Sequence, residues 1–286
     1  MNSNQSILDI IKETIDLQSD SIRDLNKYVD IDFVNSILLI LKSKGRVIVS
    51  GIGKSAIIAQ KIVATFNSTG TPSIFMHAAD AIHGDLGLVQ KEDVVICISK
   101  SGNTPEIKAL VPFIKASDSN KLIAITGDLS SFLALNADLV LNSNVKKEAC
   151  PNNLAPTTST TAQLVIGDAL AVALLKLRGF GSKDFAKYHP GGSLGKKLYL
   201  KVEDLININD KPKININDNI SKVIIEMSEK MLGAVVVINK ENNIEGIITD
   251  GDLRRQLIKS LEISKITARE IMTIKPHIIN SKMMAI

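Results

Sequence analysis

Tryptophan is absent from the 286-residue sequence, and aromatic residues make up only 3% of it. Recognition of single-stranded nucleic acid uses aromatic rings as stacking platforms, so this composition argues against that class of partner. Only two cysteines are present, Cys97 and Cys150, which is too few for a disulfide framework or a structural zinc site. Cys97 lies inside the apolar run VVICIS and is expected to be a small core residue.

Net charge and hydropathy argue against nucleic-acid-binding, membrane-spanning and secreted proteins. The 34 Lys and Arg residues exceed the 30 Asp and Glu residues by a net charge of only +4, spread along the chain, which does not suggest a nucleic-acid groove. No run of 18 apolar residues occurs, and the N-terminus lacks the basic flank and apolar core of a signal peptide. We therefore expect a soluble, cytoplasmic protein with neither a membrane nor a nucleic acid as its partner.

The middle of the chain alternates apolar runs with helical patterns. Apolar spacing predicts helices over 5–29 and 32–43. Short apolar runs predict strands at 46–50, 72–77, 93–99, 121–127 and 137–142. Helical periodicity returns between and after them and predicts helices over 104–117 and 159–178. This alternation predicts an α/β fold, with a doubly wound parallel sheet and helices on both faces. In such folds ligands bind beyond the carboxyl ends of the strands.

After about residue 200 the pattern changes to strand, helix, strand, strand, helix. A second copy of that unit begins near the end of the chain and stops after a few residues. A unit cut short cannot bury its apolar face alone, so we expect frayed residues there or a truncated gene product. The predicted organisation is N-terminal helices packing on the α/β domain over 1–44, that domain over 45–200, a small α+β unit over 207–262, and the truncated copy over 266–286.

The most informative segment is SKSGNTPEI, which follows the strand predicted at 93–99. The hydroxyls of Ser99, Ser101 and Thr104 surround Gly102, and Pro105 is suited to the first position of a helix. Hydroxyls and free N–H groups at a helix N-terminus predict a cradle for a phosphate monoester, with Thr104 capping the helix. An ordinary polar turn between a strand and a helix is the alternative.

A second loop of this kind is SGIGKSA, which follows the first predicted strand. It lacks the upstream glycine of a Walker A loop, so nucleotide hydrolysis is not expected. Lys54 falls in the first turn of the next helix, where a cation is unfavourable unless an anion binds beside it. Either Lys54 belongs to a site or it is a solvated surface lysine.

Two further segments carry side chains of chemical interest. His77, Asp80, His83 and Asp85 lie within nine residues, a density typical of metal sites, although contact of both histidines with a substrate is the alternative that we favour. The hydroxyl-rich run APTTSTTA at 155–162 precedes a long apolar helix, and we expect its hydroxyls to cap that helix rather than to meet a substrate.

Together these motifs carry a resemblance to a known family. Residues 46–195 resemble a sugar isomerase (SIS) domain of flavodoxin-like fold, and 207–260 resemble one CBS motif. The whole chain is similar to the arabinose-5-phosphate isomerases of the Kdo pathway, on motifs that include GIGKSA, SKSGNTPEI, KEACPNNLAPTTSTTAQL, FAKYHPGGSLGKKL and IEGIITDGDLRR.

The resemblance implies a reaction and its residues. It implies interconversion of ribulose 5-phosphate and arabinose 5-phosphate through an enediol, toward Kdo for lipopolysaccharide or capsule. The catalytic residues that it implies are Lys54, Glu106, Glu148 and His189. The implied substrate-binding residues are Ser50, Ser55, Gly70, Thr71, His77, His83, Ser99, Ser101, Asn103 and Thr104.

It also implies a homotetramer that requires no cofactor, with zinc as an inhibitor bound at His77. His189, in its exposed His-Pro-Gly-Gly turn, would then face a neighbouring subunit. The phosphate loop departs from the family at two positions. Many relatives carry Asn in place of Lys100, and Glu or Lys in place of Asn103. The alternatives in function are a sugar-phosphate-binding regulator and an isomerase of another sugar phosphate. Glu148 is slightly preferred over Glu106 as the proton carrier, although which glutamate removes the proton stays open.

Overall fold

The chain forms two units, residues 1–189 and 190–286. The computed structural model describes residues 3–117, 119–192, 198–206, 211–259 and 265–285. The boundaries predicted at 207 and 262 lie outside the described residues, as do residues 193–197 of the motif FAKYHPGGSLGKKL.

The first unit is built on a five-stranded parallel sheet with the order β2-β1-β3-β4-β5. The strands are β1 Val47–Gly51, β2 Ser73–His77, β3 Val94–Ser99, β4 Lys121–Thr126 and β5 Leu139–Asn142. Every residue of β1 and β3 is buried, as expected for strands covered on both faces. The order is that of flavodoxin-like folds, and the predicted doubly wound sheet is confirmed.

Helices cover both faces of this sheet. They are α1 Ser3–Leu25, α2 Ile31–Lys42, α3 Lys54–Ser68, α4 Ala78–Ala81, α5 Pro105–Lys115, α6 Phe132–Asn136, α7 Thr158–Leu177 and α8 Ser182–Tyr188. Alternate residues of one strand enter opposite cores: Val49 packs with α3 and α7, whereas Ile48 packs with α5. This follows from the two-residue period of a strand.

Helix α7 is long and apolar enough to cross a membrane by length and composition alone. Its buried residues include Ala162, Ile166 and Leu170, which lie in the core formed with α3 and the sheet. Core helices of soluble proteins meet the same criterion. No other helix among the described residues meets it.

The second unit contains a four-stranded sheet of order β6-β7-β8-β9, formed by Lys213–Asn215, Ala234–Ile238, Ile244–Thr249 and Thr273–Ile274. Its helices are α9 Val202–Leu205, α10 Ile220–Lys230, α11 Asp250–Lys259 and α12 Ala268–Ile271. The predicted succession of strand, helix, strand, strand and helix is confirmed. Near the end of the chain, Lys201 pairs with Met284, so the residues after β9 return to the start of the unit.

Candidate active site

The carboxyl ends of β1 and β3 lie side by side at the point where the connections of the sheet diverge. The chain leaves β1 through α3 toward β2 on one side, and leaves β3 through α5 toward β4 on the other. This switch point is where doubly wound folds bind ligands. Helices α3 and α5 begin there at Lys54 and Pro105, so that the free N–H groups of both first turns lie at the same edge.

The loop after β3 has the compact form expected of an anion cradle. Ser99 Oγ accepts from Gly102 N at 3.1 Å, and Ser101 Oγ accepts from Asn103 N at 3.3 Å. Gly102 has φ +61°, and a Cβ there would lie 2.1 Å from Ser131 Oγ, so only glycine fits. Pro105 opens α5 as predicted. The capping prediction for Thr104 is wrong: it stands at the N-cap position, but its buried Oγ1 makes no hydrogen bond in the protein.

Unpartnered buried polar atoms gather at this edge. Native proteins leave few such atoms without a partner, and each requires an explanation. Among the described residues, one such atom, Ser36 Oγ on α2, lies away from this edge. The others are Ser50 Oγ, His77 Nδ1, Thr104 Oγ1, Thr158 Oγ1, Ser159 Oγ and Gln163 Nε2. They lie at the ends of β1 and β2, at the N-cap of α5 and in the first two turns of α7. A polar ligand would satisfy them.

Glu148 joins this edge through α7. Its side chain is fully buried, and Lys100 Nζ donates to its Oε1 at 2.6 Å. Its Oε2 accepts from Thr157 N at 2.8 Å, Thr157 Oγ1 at 3.2 Å and Ser159 N at 3.1 Å. The prediction that the hydroxyls of 155–162 cap α7 is therefore wrong, because the carboxylate of Glu148 satisfies the first N–H groups of this helix instead.

These contacts determine the ionisation of Glu148. Burial raises the pKa of the carboxyl group, but the hydrogen bonds from Lys100 and from residues 157 and 159 outweigh burial and lower the pKa from 4.5 to about 2. Glu148 is thus a firmly ionised carboxylate.

Glu106 and Lys54 have very different surroundings. Glu106 lies in the first turn of α5 and is partly exposed, and Lys54 is the exposed first residue of α3. Neither side chain makes a hydrogen bond or an ion pair with any other described residue. Both remain available to a ligand at the switch point.

Two contacts fix the ring of His189. It stacks on Phe185 with ring centroids 3.9 Å apart, and its Nδ1 lies 3.0 Å from the carbonyl oxygen of Phe185. Because a carbonyl only accepts, Nδ1 carries a proton, and in the neutral ring Nε2 is the basic nitrogen. His189 is the last residue of the first unit.

His77 and His83, at and just after the end of β2, are the histidines considered above as metal or substrate ligands. His77 ends β2 with Nδ1 3.5 Å from Asp80 Oδ2, and His83 is exposed. No group of three His, Cys, Asp or Glu side chains able to hold a metal occurs among the described residues. Zinc at His77 stays a prediction, and the position of His77 next to Gly51 of β1 places it at the edge that carries the site.

Gly70 and Thr71, both predicted to bind substrate, lie at the opposite edge of the sheet. They precede β2 at its amino end, where Arg178 donates to the carbonyl oxygen of Gly70 and, at 2.6 Å, to Thr71 Oγ1. Within one chain they are separated from the other site residues because parallel strands all begin at one edge and end at the other. Ser55, by contrast, lies in the site, where its Oγ contacts Gln163 Oε1 at 3.1 Å.

Sequence reasoning missed four residues at this edge: Lys100, Thr158, Ser159 and Gln163. Lys100 stood inside the recognised loop, but nothing in its own sequence signals contact with a residue 48 positions later. Thr158 and Ser159 belong to the hydroxyl-rich run that was assigned to capping. No local signal marked Gln163.

Comparison with known proteins agrees with this architecture. Residues 39–173 match the SIS domain model, and residues 202–259 match the CBS domain model. The chain is 44% identical to the arabinose 5-phosphate isomerase KdsD of Pseudomonas aeruginosa, over all of this chain and 87% of that protein. It is 47% identical to KdsD of Francisella tularensis, over 96% of this chain and 84% of that protein.

The chain belongs to the arabinose 5-phosphate isomerase family. It is therefore an enzyme of the isomerase class, as the resemblance of its motifs implied. Of the domain boundaries predicted above, the family matches cover the interior of each unit without fixing the ends, which stay predictions.

Solved structures extend the comparison to the first unit of this isomerase. A protein of Escherichia coli CFT073, solved in complex with arabinose 5-phosphate, has a TM-score of 0.63 and 44% identity and covers 66% of this chain and 100% of its own. A protein of Listeria monocytogenes described as a sugar-phosphate isomerase has a TM-score of 0.64 and is 35% identical. The match covers 67% of this chain and 100% of that protein.

Proposed function

We propose that this enzyme interconverts D-ribulose 5-phosphate and D-arabinose 5-phosphate through an enediol. The observation that carries the proposal is the set of unpartnered polar atoms at the switch point, between the first turns of α5 and α7. A sugar phosphate has the chemistry to satisfy them, with hydroxyls along its chain and an anion at one end. The names of the relatives supply the particular sugar.

The phosphate would lie in the loop after β3. The N-terminus of α5 and the hydroxyls of Ser99, Ser101 and Thr104 favour an anion there. Lys54, at the start of α3 and free of any described partner, provides a cation at the same edge. It is placed either to contact the phosphate or to polarise the carbonyl oxygen at C2.

Proton transfer between carbons needs a carboxylate. We assign the removal of the C1 proton of the ketose to Glu106, because its carboxylate is partly exposed and free of described partners, whereas both oxygens of Glu148 are occupied. The C1–H electron pair forms the C1–C2 double bond, and the C2 carbonyl oxygen takes the charge. Glu106 then returns its proton to C2, and one proton moves from O1 to O2. The basic Nε2 of His189 is suited to this last transfer, from this chain or from a neighbouring subunit.

Turnover in deuterium oxide tests the proposal. Purified enzyme is given ribulose 5-phosphate with and without EDTA, and the product is followed by NMR. We expect arabinose 5-phosphate at a rate that EDTA leaves unchanged or raises. It should carry deuterium at C2 in those turnovers in which the proton held by Glu106 exchanges with solvent before it is returned. Glu106→Gln should abolish both turnover and exchange, whereas Lys108→Met, in the next turn of α5, serves as the matched control.

Two results would reject parts of this assignment. Loss of turnover on EDTA treatment, restored by zinc, would make a metal essential and remove zinc from the role of inhibitor. Absence of any product, with ribulose 5-phosphate still raising the unfolding temperature, would favour the sugar-phosphate-binding regulator.

The assembly, the compartment and the pathway belong to the same proposal. We propose a cytoplasmic homotetramer that acts on a small sugar phosphate, without nucleic acid or membrane as a partner, and that supplies Kdo synthesis. The basis of this proposal is the motif resemblance on which those expectations rest. Size-exclusion chromatography with light scattering tests the tetramer directly.

A further inference from the structure

Lys100 occupies an unusual position between two cavities. With Ser101 it lines a cavity of about 390 Å³ beyond the ends of β3, β4 and β5. Its partner Glu148 lines a second cavity, of about 340 Å³, between the loop at 147–153 and α1. The ion pair between Lys100 and Glu148 therefore lies where the two cavities approach each other.

The two residues of this ion pair differ in burial and in their number of hydrogen bonds. Glu148 is fully buried and keeps three hydrogen bonds from residues 157 and 159, whereas the Lys100 side chain is 46% exposed and reaches Glu148 from the loop predicted to hold the phosphate. Lys100 is the only described residue that donates to Glu148 Oε1. Without it, one oxygen of a buried carboxylate would lack a partner, which is strongly unfavourable.

The other charged or titratable groups around this cavity do not contact the Glu148 carboxylate in the part of the chain that the structure describes. Glu13 of α1, and Lys147 and Cys150 of the loop that carries Glu148, line the same cavity. None of them makes a described hydrogen bond or ion pair with the carboxylate. The residues that α7 presents to it, Thr157 and Ser159, are neutral.

We propose that Lys100 is a positioning residue of this enzyme, which holds the Glu148 carboxylate ionised against the first turn of α7 and so fixes the polar groups that α7 presents to the site. The proposal rests on the proposed function. Thr158, Ser159 and Gln163 belong to the turns that Glu148 secures, and their unpartnered atoms are those a substrate would meet. Lys100 thus acts through Glu148 rather than on the reacting carbons.

Kinetics distinguish this role from direct phosphate binding. We expect Lys100→Met to lower kcat by about tenfold or more while KM changes less than about threefold, because the groups that meet the transition state lose their placement. Lys100→Arg should restore most of kcat, since it keeps the charge and the donor. Lys115→Met is the control: Lys115 pairs with Asp138 at 2.8 Å at the far end of α5, and its loss should leave both constants unchanged.

A double mutant tests whether Lys100 acts through Glu148. If it does, Lys100→Met combined with Glu148→Gln should be no slower than Glu148→Gln alone. Losses that multiply, or a rise of KM with kcat intact, would overturn the proposal, the latter by making Lys100 a phosphate ligand.

A spectroscopic measurement keeps the inference separate from the proposed function. The ¹³C carboxyl resonance of Glu148, assigned by its absence in Glu148→Gln, is titrated in the free protein. In Lys100→Met its midpoint should move up by about one pH unit or more, because an opposite charge has been removed. An unmoved midpoint refutes the contact in solution. This result holds even if ribulose 5-phosphate is not a substrate, since it requires no turnover.

Discussion

Glu148 should make the stability of the first unit depend on pH in a defined window. The folded pKa of about 2 lies below the ordinary value of 4.5. A depressed carboxyl pKa stabilises the fold above the unfolded pKa, and this contribution is lost as pH falls through the folded one. One pKa unit corresponds to about 1.4 kcal/mol, so the ionised Glu148 contributes about 3 kcal/mol at neutral pH. Roughly 2 kcal/mol of that contribution should be gone at pH 3.

Paired urea titrations of wild type and Glu148→Gln measure this contribution. Circular dichroism is followed at fixed protein concentration between pH 7 and pH 3. The difference in the free energy of unfolding should be constant down to about pH 5 and then shrink steadily toward pH 3. Glu229→Gln, an exposed position of α10 with no described partner, provides a control whose effect should stay within about 0.5 kcal/mol.

The reasoning would be refuted by a difference that persists undiminished at pH 3. That result would mean that the carboxylate of Glu148 is not held by Lys100 and by the N–H groups of α7. A difference that instead grows as pH falls would reverse the sign of the linkage and exclude the contacts altogether.

Three further predictions concern the loop after β3 and the two thiols. Ser101→Ala together with Thr104→Ala should raise KM for the sugar phosphate by about tenfold or more, because hydroxyl donors are lost from the anion cradle; unchanged steady-state kinetics would place the phosphate elsewhere. Gly102→Ala should cost roughly 2–4 kcal/mol of stability, since its left-handed backbone and the close neighbouring side chain leave no space, and a thermal melt equal to wild type would contradict this. Burial raises the pKa of the Cys97 thiol to about 12, whereas backbone N–H groups lower the pKa of the partly exposed Cys150. A thiol reagent at pH 8 should therefore modify Cys150 first and Cys97 only after unfolding. Mass spectrometry of the labelled peptides measures the order, and labelling of Cys97 in the folded protein would contradict the prediction.

The strands and the site loop were predictable because their signals are local. Val94–Ile98 is an unbroken apolar run, as expected for a strand buried on both faces. Pro105, a few residues later, defines the start of α5. The edge at which ligands bind then follows from the topology of parallel strands.

The prediction failed where contacts join distant parts of the chain. The local rule predicts that the hydroxyls beside α7 cap it, yet the acceptor is Glu148. The counter-charge of Glu148 comes from Lys100, in the loop after β3. The family motif also predicts Gly70 and Thr71 as substrate-binding residues. Within one chain they lie where β2 begins, away from the other site residues, and their assignment stays a prediction. Sequence spacing does not specify such long-range contacts.

The unpartnered polar atoms of Ser50, Thr104, Thr158, Ser159 and Gln163 have a consequence for how this enzyme can evolve. They are already removed from water in the free protein, so a ligand that meets them gains their hydrogen bonds without stripping a hydration shell. In the free protein each of these unsatisfied groups lowers the free energy of unfolding by about 1–3 kcal/mol. Replacing them by alanine or valine would remove this cost, together with the hydrogen bonds that they can offer to a ligand. Heat tolerance and turnover are thus opposed at this edge of the sheet.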